Sequence, residues 1–299
     1  QTPNPKPQTP NPKPQTPMGC YSESYGGMRL LKAGLFELTG TFFLVYCCSM
    51  TLFLDRTKNG NVPSGFLTAA CQGIIVGLFS FAASGICKVT LNPICTLVLV
   101  FNKHLNIVEA LSNIFMQFCG AFGGTIVVHK LFRLITMKDT SFNSAFELTY
   151  TDAMVQRIDD NNNYVNSYAS TIALEAFSVF FLVCFMVYAF NTLQREHAAR
   201  SFALGVGNFI GFIATSVTCG GILSPLTIFP ASFIHSEATF KGWWVCWVGP
   251  LAGGALALPF AWWLLVCKPF AEGFGFPISA AEERDPEIDT GSGEESLAK

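Results

Sequence analysis

The chain has 299 residues, 51% of them hydrophobic and only 13% charged, with a mean hydropathy of +0.41; an ordinary soluble domain is excluded. A net charge of −2 and the lack of a basic run argue against nucleic acid as a partner. The eleven cysteines form no metal-type Cys or His spacing, and no phosphate-cradling glycine loop or nucleophile elbow occurs, so neither enzyme chemistry nor a cofactor is expected.

Residues 1–17 repeat QTPNPKP, a composition that favours an extended polyproline-type arm rather than a packed core. Met18-Gly19-Cys20 has the look of a start, but Glu23 stands where a myristoylation signal takes Ser or Thr. Six apolar blocks follow, at about 30–54, 64–86, 107–130, 168–190, 201–219 and 242–267. Each is close to the roughly 20 residues that cross a hydrocarbon core about 30 Å thick. The first block lies behind a polar leader and is expected to remain as a span. Between the third and fourth blocks, residues 131–167 read as a long polar loop containing Asp159-Asp160-Asn161-Asn162-Asn163. Beyond about 271 the chain is acidic and reads as disordered. Most cysteines fall inside the blocks (Cys47, Cys48, Cys71, Cys119, Cys184, Cys246, Cys267) and read as small buried hydrophobes.

The two halves repeat. Glu37-Leu-Thr-Gly-Thr-Phe-Phe-Leu-Val45 matches Glu175-Ala-Phe-Ser-Val-Phe-Phe-Leu-Val183, and Gly120-Ala-Phe-Gly-Gly124 echoes Pro250-Leu-Ala-Gly-Gly254. Leu91-Asn92-Pro93-Ile94 corresponds to Leu223-Ser224-Pro225-Leu226, each opening an apolar stretch too short to span. Three spans per half force the second copy to enter from the opposite side, an inverted repeat whose sites lie where broken helices meet. A half-helix starting inside the membrane leaves about four N–H groups unpaired, so its end must face protein or a wet cavity. Asn92 and Ser224 suit N-caps, and Pro93 and Pro225 suit the first helical position. Two such dipoles place positive potential at the centre and oppose cations. The intramembrane carboxylates Glu37 and Glu175 suggest one shared task, accepting N–H bonds from the loops before the half-helices; the competing reading is a proton relay. The glycines near 120, 205 and 253 read as close helix contacts.

Across about 28–268 the chain resembles the aquaporin (major intrinsic protein) family. The carrying residues are the Glu37 and Glu175 helices, Leu91-Asn92-Pro93-Ile94-Cys95-Thr96, Gln117-Phe-Cys-Gly120, Phe229-Pro230-Ala231 and Trp247-Val-Gly-Pro-Leu-Ala-Gly-Gly254. The resemblance implies an all-α membrane protein of six transmembrane helices and two re-entrant half-helices. It also implies a pore in each protomer, a homotetramer in the lipid bilayer, and both termini in the cytoplasm. The chain then divides into a Pro-rich arm (1–27), a channel domain (28–268) and an acidic tail (269–299). Within the channel domain the first repeat is 28–130, the connecting loop 131–167 and the second repeat 168–268.

The departures from the family pattern concern the pore. The usual Asn-Pro-Ala pair stands here as Asn92-Pro93-Ile94 and Ser224-Pro225-Leu226. Thr227 holds the slot of the filter arginine, Gln72 that of the second-helix aromatic, and Gly211 or Phe212 the fifth-helix position. Losing the arginine removes bulk and a fixed charge, which either widens the constriction or lets Leu226, Ile94 and Phe212 fill it. The expectation is a channel for water and small neutral solutes of the glycerol, urea or peroxide class. The alternatives are a water-selective channel and a non-conducting scaffold or adhesion protein, with an ion pore and an alternating-access transporter behind them. Lys88 is read as facing an inner vestibule or snorkelling, His197 as a loop histidine, and His235 as ending the second half-helix; Cys219 is read as lining the pore or packing in the core.

Overall fold

The computed structural model describes residues 22–57, 64–135, 156–158, 164–166, 168–193, 196–219, 221–234 and 243–266. Six long helices carry the fold: α1 (Ser22–Thr57), α2 (Ser64–Ala82), α4 (Ile107–Ile135), α5 (Tyr168–Thr192), α6 (His197–Cys219) and α8 (Val245–Val266). Between α2 and α4 lies the short α3 (Pro93–Phe101), and between α6 and α8 a 3₁₀ turn (Pro225–Thr227) followed by α7 (Phe229–Ile234). Five of the long helices have the length and apolarity to cross a membrane, and α8 is apolar over Val245–Ala261.

The outside of this bundle is apolar and its inside partly polar. Phe202, Phe101, Ile74 and Phe115 are all more than 60% exposed, while Glu37, Glu175, Gln117 and Thr96 are fully buried. Water would reject that surface, and lipid accepts it. Cys48, Cys87, Cys95 and Cys246 are buried, but Cys119 lies on the exposed face of α4, so the core role expected of it does not hold.

The main helix pairs are α1 with α4, α5 with α8, and α2 with α6. Glycine makes each approach close. A Cβ on Gly120 would collide with the Leu38 carbonyl, and one on Gly253 with the Ala176 carbonyl. A Cβ on Gly205 would stand 2.7 Å from the Gly73 carbonyl, and one on Gly73 2.8 Å from that of Gly205. In α2 and α6, then, the two copies meet each other through their backbones.

These contacts correct the alignment of the repeat. Leu38 and Ala176 are equivalent, each following its helix carboxylate, so Gly120 corresponds to Gly253 and Gln117 to Pro250. Matching Gly120 with Pro250 is one helical turn out, because a glycine-rich stripe looks alike when shifted by three residues. The connecting loop also differs from expectation. Helix α4 runs on to Ile135, and strands β1 (Gln156–Ile158) and β2 (Tyr164–Asn166) pair antiparallel, with Arg157 opposite Val165. The Asp/Asn run at 159–163 lies outside the described residues.

Candidate functional site

The chain enters α3 through an extended segment, Lys88 to Asn92. Glu37, projecting from α1, accepts the backbone N–H of Thr90 and of Leu91, each at 2.9 Å, one on each carboxylate oxygen. Gln117 of α4 donates its amide to the same carboxylate at 2.9 Å and to the Thr96 hydroxyl at 3.0 Å. The Thr90 and Thr96 hydroxyls lie 2.6 Å apart. A four-residue polar network thus holds the loop, and it is buried throughout. Leu91 takes a positive φ of 53°, a conformation that disfavours a branched side chain and persists only where surroundings impose it. Asn92 then caps α3: its Oδ1 accepts the Ile94 N–H at 3.0 Å, and Pro93 occupies the first turn.

The second copy follows the same path with different chemistry. Glu175 of α5 accepts the N–H of Ile222 and of Leu223, each at 2.8 Å. Leu223 has φ 46°, the counterpart of Leu91. The positions equivalent to Thr90, Thr96 and Gln117 are Ile222, Ile228 and Pro250, none of which carries a polar side chain. Ser224, expected to cap the helix, does not: its hydroxyl makes no cap bond and has no hydrogen-bond partner among the described residues. The segment after Ser224 is a three-residue 3₁₀ turn and not the nine-residue α-helix that follows Asn92. The second half-helix is also broken. Pro230 has no N–H to bond the Leu226 carbonyl four residues back, and its ring crowds that carbonyl. The 3₁₀ turn therefore ends at Thr227 and α7 begins afresh at Phe229. Aromatic packing secures it, with Phe229 5.5 Å from Trp247, 6.0 Å from Phe118 and 4.7 Å from Phe233 between ring centroids.

The two starts meet. Asn92 Nδ2 donates to the Leu223 carbonyl at 3.1 Å, a hydrogen bond between residues 131 apart in sequence. Asn92, Ile94, Ser224, Leu226, Pro93 and Pro225 are all buried around this junction.

The remaining candidates take definite places. The Thr227 hydroxyl donates back to the carbonyls of Ser224 at 2.8 Å and Ile222 at 3.2 Å. Gln72 is buried on α2 beside the Cys48 thiol, its amide nitrogen without a hydrogen-bond acceptor among the described residues. On α6, Gly211 packs against Leu223 so closely that a Cβ there would stand 3.2 Å from the leucine side chain, and Phe212 covers Gly221. Gly221 has φ 68°, and a Cβ there would stand 2.9 Å from the Phe212 ring. Both α6 candidates therefore contact the segment leading into the second half-helix. His197 opens α6 instead of lying in a loop, and His235 lies outside the described residues, as does the side chain of Cys219. The contributions of Thr90 and of Leu91 and Leu223 are additions to the residues expected from sequence. Thr90 is two residues before Asn92, as Ile222 is before Ser224, so the repeat held the signal.

Long apolar helices in an inverted repeat, with two half-helices meeting inside it, define a membrane channel fold with re-entrant segments. Residues 25–260 match the family model described as major intrinsic protein, and the chain belongs to that family. It is 23% identical over 236 residues to Aquaporin A of Dictyostelium discoideum, covering 77% of both chains. It is 25% identical to Aquaporin PIP1-6 of Zea mays, covering 80% of this chain and 78% of that one. Among solved structures, the aquaglyceroporin of Plasmodium falciparum matches with a TM-score of 0.61 at 16% identity, over 81% of this chain and 99% of the other. The protein is an integral, multi-pass membrane channel for water or small solutes, not an enzyme.

Proposed function

We propose that the junction of the half-helices is the narrow part of a pore for water and small neutral solutes carrying hydroxyl or amide groups, such as glycerol, urea or peroxide. The supporting observation is the state of Thr227. Its hydroxyl is turned onto its own loop, so this position offers a passing solute neither a charge nor a fixed donor. Among the described residues, polar groups left for a solute include the second N–H of the Asn92 amide and the Ser224 hydroxyl, set among Ile94, Leu223 and Leu226. The start of the nine-residue α3 carries positive potential here, to which the single turn at Pro225 adds little, and that potential opposes cations and protons. Gln72, Gly211 and Phe212 are read as the rest of the constriction, Glu37 and Glu175 as the braces of its two loops. The homotetramer, the cytoplasmic termini and the 28–268 channel domain are parts of the same reading and rest on the family resemblance.

One observation favours a second reading. Leu223 and Leu226 have no exposed surface, which suits a filled junction and a non-conducting scaffold. Stopped-flow light scattering on proteoliposomes separates the two. The pore reading expects transient shrinkage and recovery under a glycerol gradient, and Thr227→Arg should lose glycerol flux before water flux. Traces equal to empty liposomes for both solutes would overturn it.

A further inference from the structure

At the end of the bundle where α1 begins and α5 hands over to α6, the structure contains a cavity of about 400 Å³ apart from the half-helix junction. Its lining includes Arg29, Lys88, His104, Phe190, His197 and Arg200, contributed by five different segments, and no lining residue among those described is acidic. Phe190 forms a shared base. Lys88 Nζ lies 5.9 Å from its ring centroid, the Arg200 guanidinium 5.2 Å and the His104 ring 5.7 Å. Glu109 reaches toward this group from α4 and pairs with Arg29 at 3.6 Å. Among the described residues, three cations (Arg29, Lys88 and Arg200) therefore line the space, and one carboxylate, Glu109, reaches toward it.

The hydrogen-bond geometry points the same way. Arg200 donates to His197 Nδ1 at 2.9 Å, and since a guanidinium has only donors, the proton of a neutral His197 sits on Nε2. One of the three Lys88 protons goes to the His104 carbonyl at 2.5 Å. His104 Nε2 is buried without a hydrogen-bond partner among the described residues. Burial and the neighbouring Arg200 hold Lys88 below the ordinary range for an amine. Burial and the Lys88 charge likewise hold His104 below that of an imidazole. Burial is the larger cause in both, and the neighbouring positive charge that adds to it is the part an anion would relieve. A tetrahedral oxoanion accepts bonds on several sides at once, matching donors that converge from separate segments.

We propose that this cavity binds a phosphate-type oxoanion, borne either by a soluble phosphate compound or by a lipid headgroup. Lys88 and Arg29 supply charge-assisted hydrogen bonds, and Arg200 supplies charge at the base. Binding here is separate from the choice of permeant, so its test does not depend on conduction. The full chain is reconstituted in phosphatidylcholine nanodiscs and titrated with inorganic phosphate by calorimetry. In a second arm the unfolding temperature is compared in nanodiscs doped with a phosphoinositide or with phosphatidylserine. Saturable phosphate heat identifies a soluble ligand; stabilisation by the phosphoinositide and not by phosphatidylserine identifies a headgroup; either supports the site. Lys88→Gln keeps a donor for the His104 carbonyl and removes the charge, and should weaken binding by about tenfold, whereas Lys88→Arg should retain it. Should Lys88→Gln fail to reconstitute, Arg29→Gln, at a side chain 57% exposed, is expected to weaken binding in the same direction. Absence of saturation in both arms, or native binding by both charge-removing variants, would overturn the proposal.

Discussion

If Glu37 braces the first half-helix, Glu37→Gln must cost stability by an amount set by its hydrogen bonds. The substitution keeps the shape and turns one acceptor into a donor. In its best orientation the new amide oxygen replaces Oε2, keeping the Leu91 N–H and the Gln117 amide, each at 2.9 Å. The amide nitrogen then faces the Thr90 N–H, formerly bonded at 2.9 Å, which loses its acceptor. The Thr90 hydroxyl, 3.4 Å away, can turn to accept and limits the damage to one orphaned N–H. Leaving one buried donor unsatisfied costs about 1–3 kcal/mol. Glu37→Ala removes every acceptor and leaves a cavity as well, so a loss of roughly 4–6 kcal/mol is expected. Thermal unfolding in nanodiscs, with labelling of the buried Cys95 thiol on α3 as a local reporter, measures both. Glu175→Gln orphans either the Ile222 or the Leu223 N–H and should fall in the same range as Glu37→Gln. A Glu37→Gln protein within about 0.5 kcal/mol of native, the range of an indifferent surface change, would refute the brace and favour the competing proton relay.

Ser224→Asn should stabilise the second half-helix by about 1 kcal/mol, because an amide there can copy the Asn92 cap on Ile94 and its reach across the junction; chemical unfolding that shows no gain would mean that the junction lacks room for it. Gly205→Ala should destabilise by about 1–3 kcal/mol, since its Cβ would meet the Gly73 carbonyl at 2.7 Å with backbone on both sides. Gly123→Ala is the matched control: its Cβ would meet only the Phe42 side chain at 3.4 Å, and its unfolding temperature should stay near native.

Much of this architecture was legible because it depends on features that survive in sequence: apolar length, two carboxylates at matching places, and two prolines after short polar residues. Each follows from a requirement of burying backbone in lipid. The details that escaped depend on one atom or one residue. Serine and asparagine both rank as cap residues, yet Asn92 takes the Ile94 N–H while Ser224, ahead of a 3₁₀ turn, makes no cap bond. A helix is expected from Pro225 onward, yet Pro230 interrupts it after a single 3₁₀ turn. The glycine stripe misleads by one turn, because Gly120, Gly123 and Gly124 offer several registers against Gly249, Gly253 and Gly254, and only the carbonyls of Leu38 and Ala176 choose between them.

The corrected register changes how the two halves compare. With Gln117 opposite Pro250, the first loop is held by polar groups that share protons through Glu37, Thr90, Thr96 and Gln117. The second has Ile222, Ile228 and Pro250 in those places, and is held by the carboxylate bonds to its backbone and by the Thr227 hydroxyl on the Ser224 and Ile222 carbonyls. A buried polar network is directional and rigid when complete, whereas rings such as Phe229, Phe233 and Trp247 resist separation more than sliding. Of the two half-helices, then, the second is the one whose position can respond to what fills the junction. Variation at Ser224 and Thr227 should accordingly change permeability while shifting unfolding by about 1 kcal/mol at each site, whereas the same substitution size at Thr90 or Thr96 should unfold the protein first.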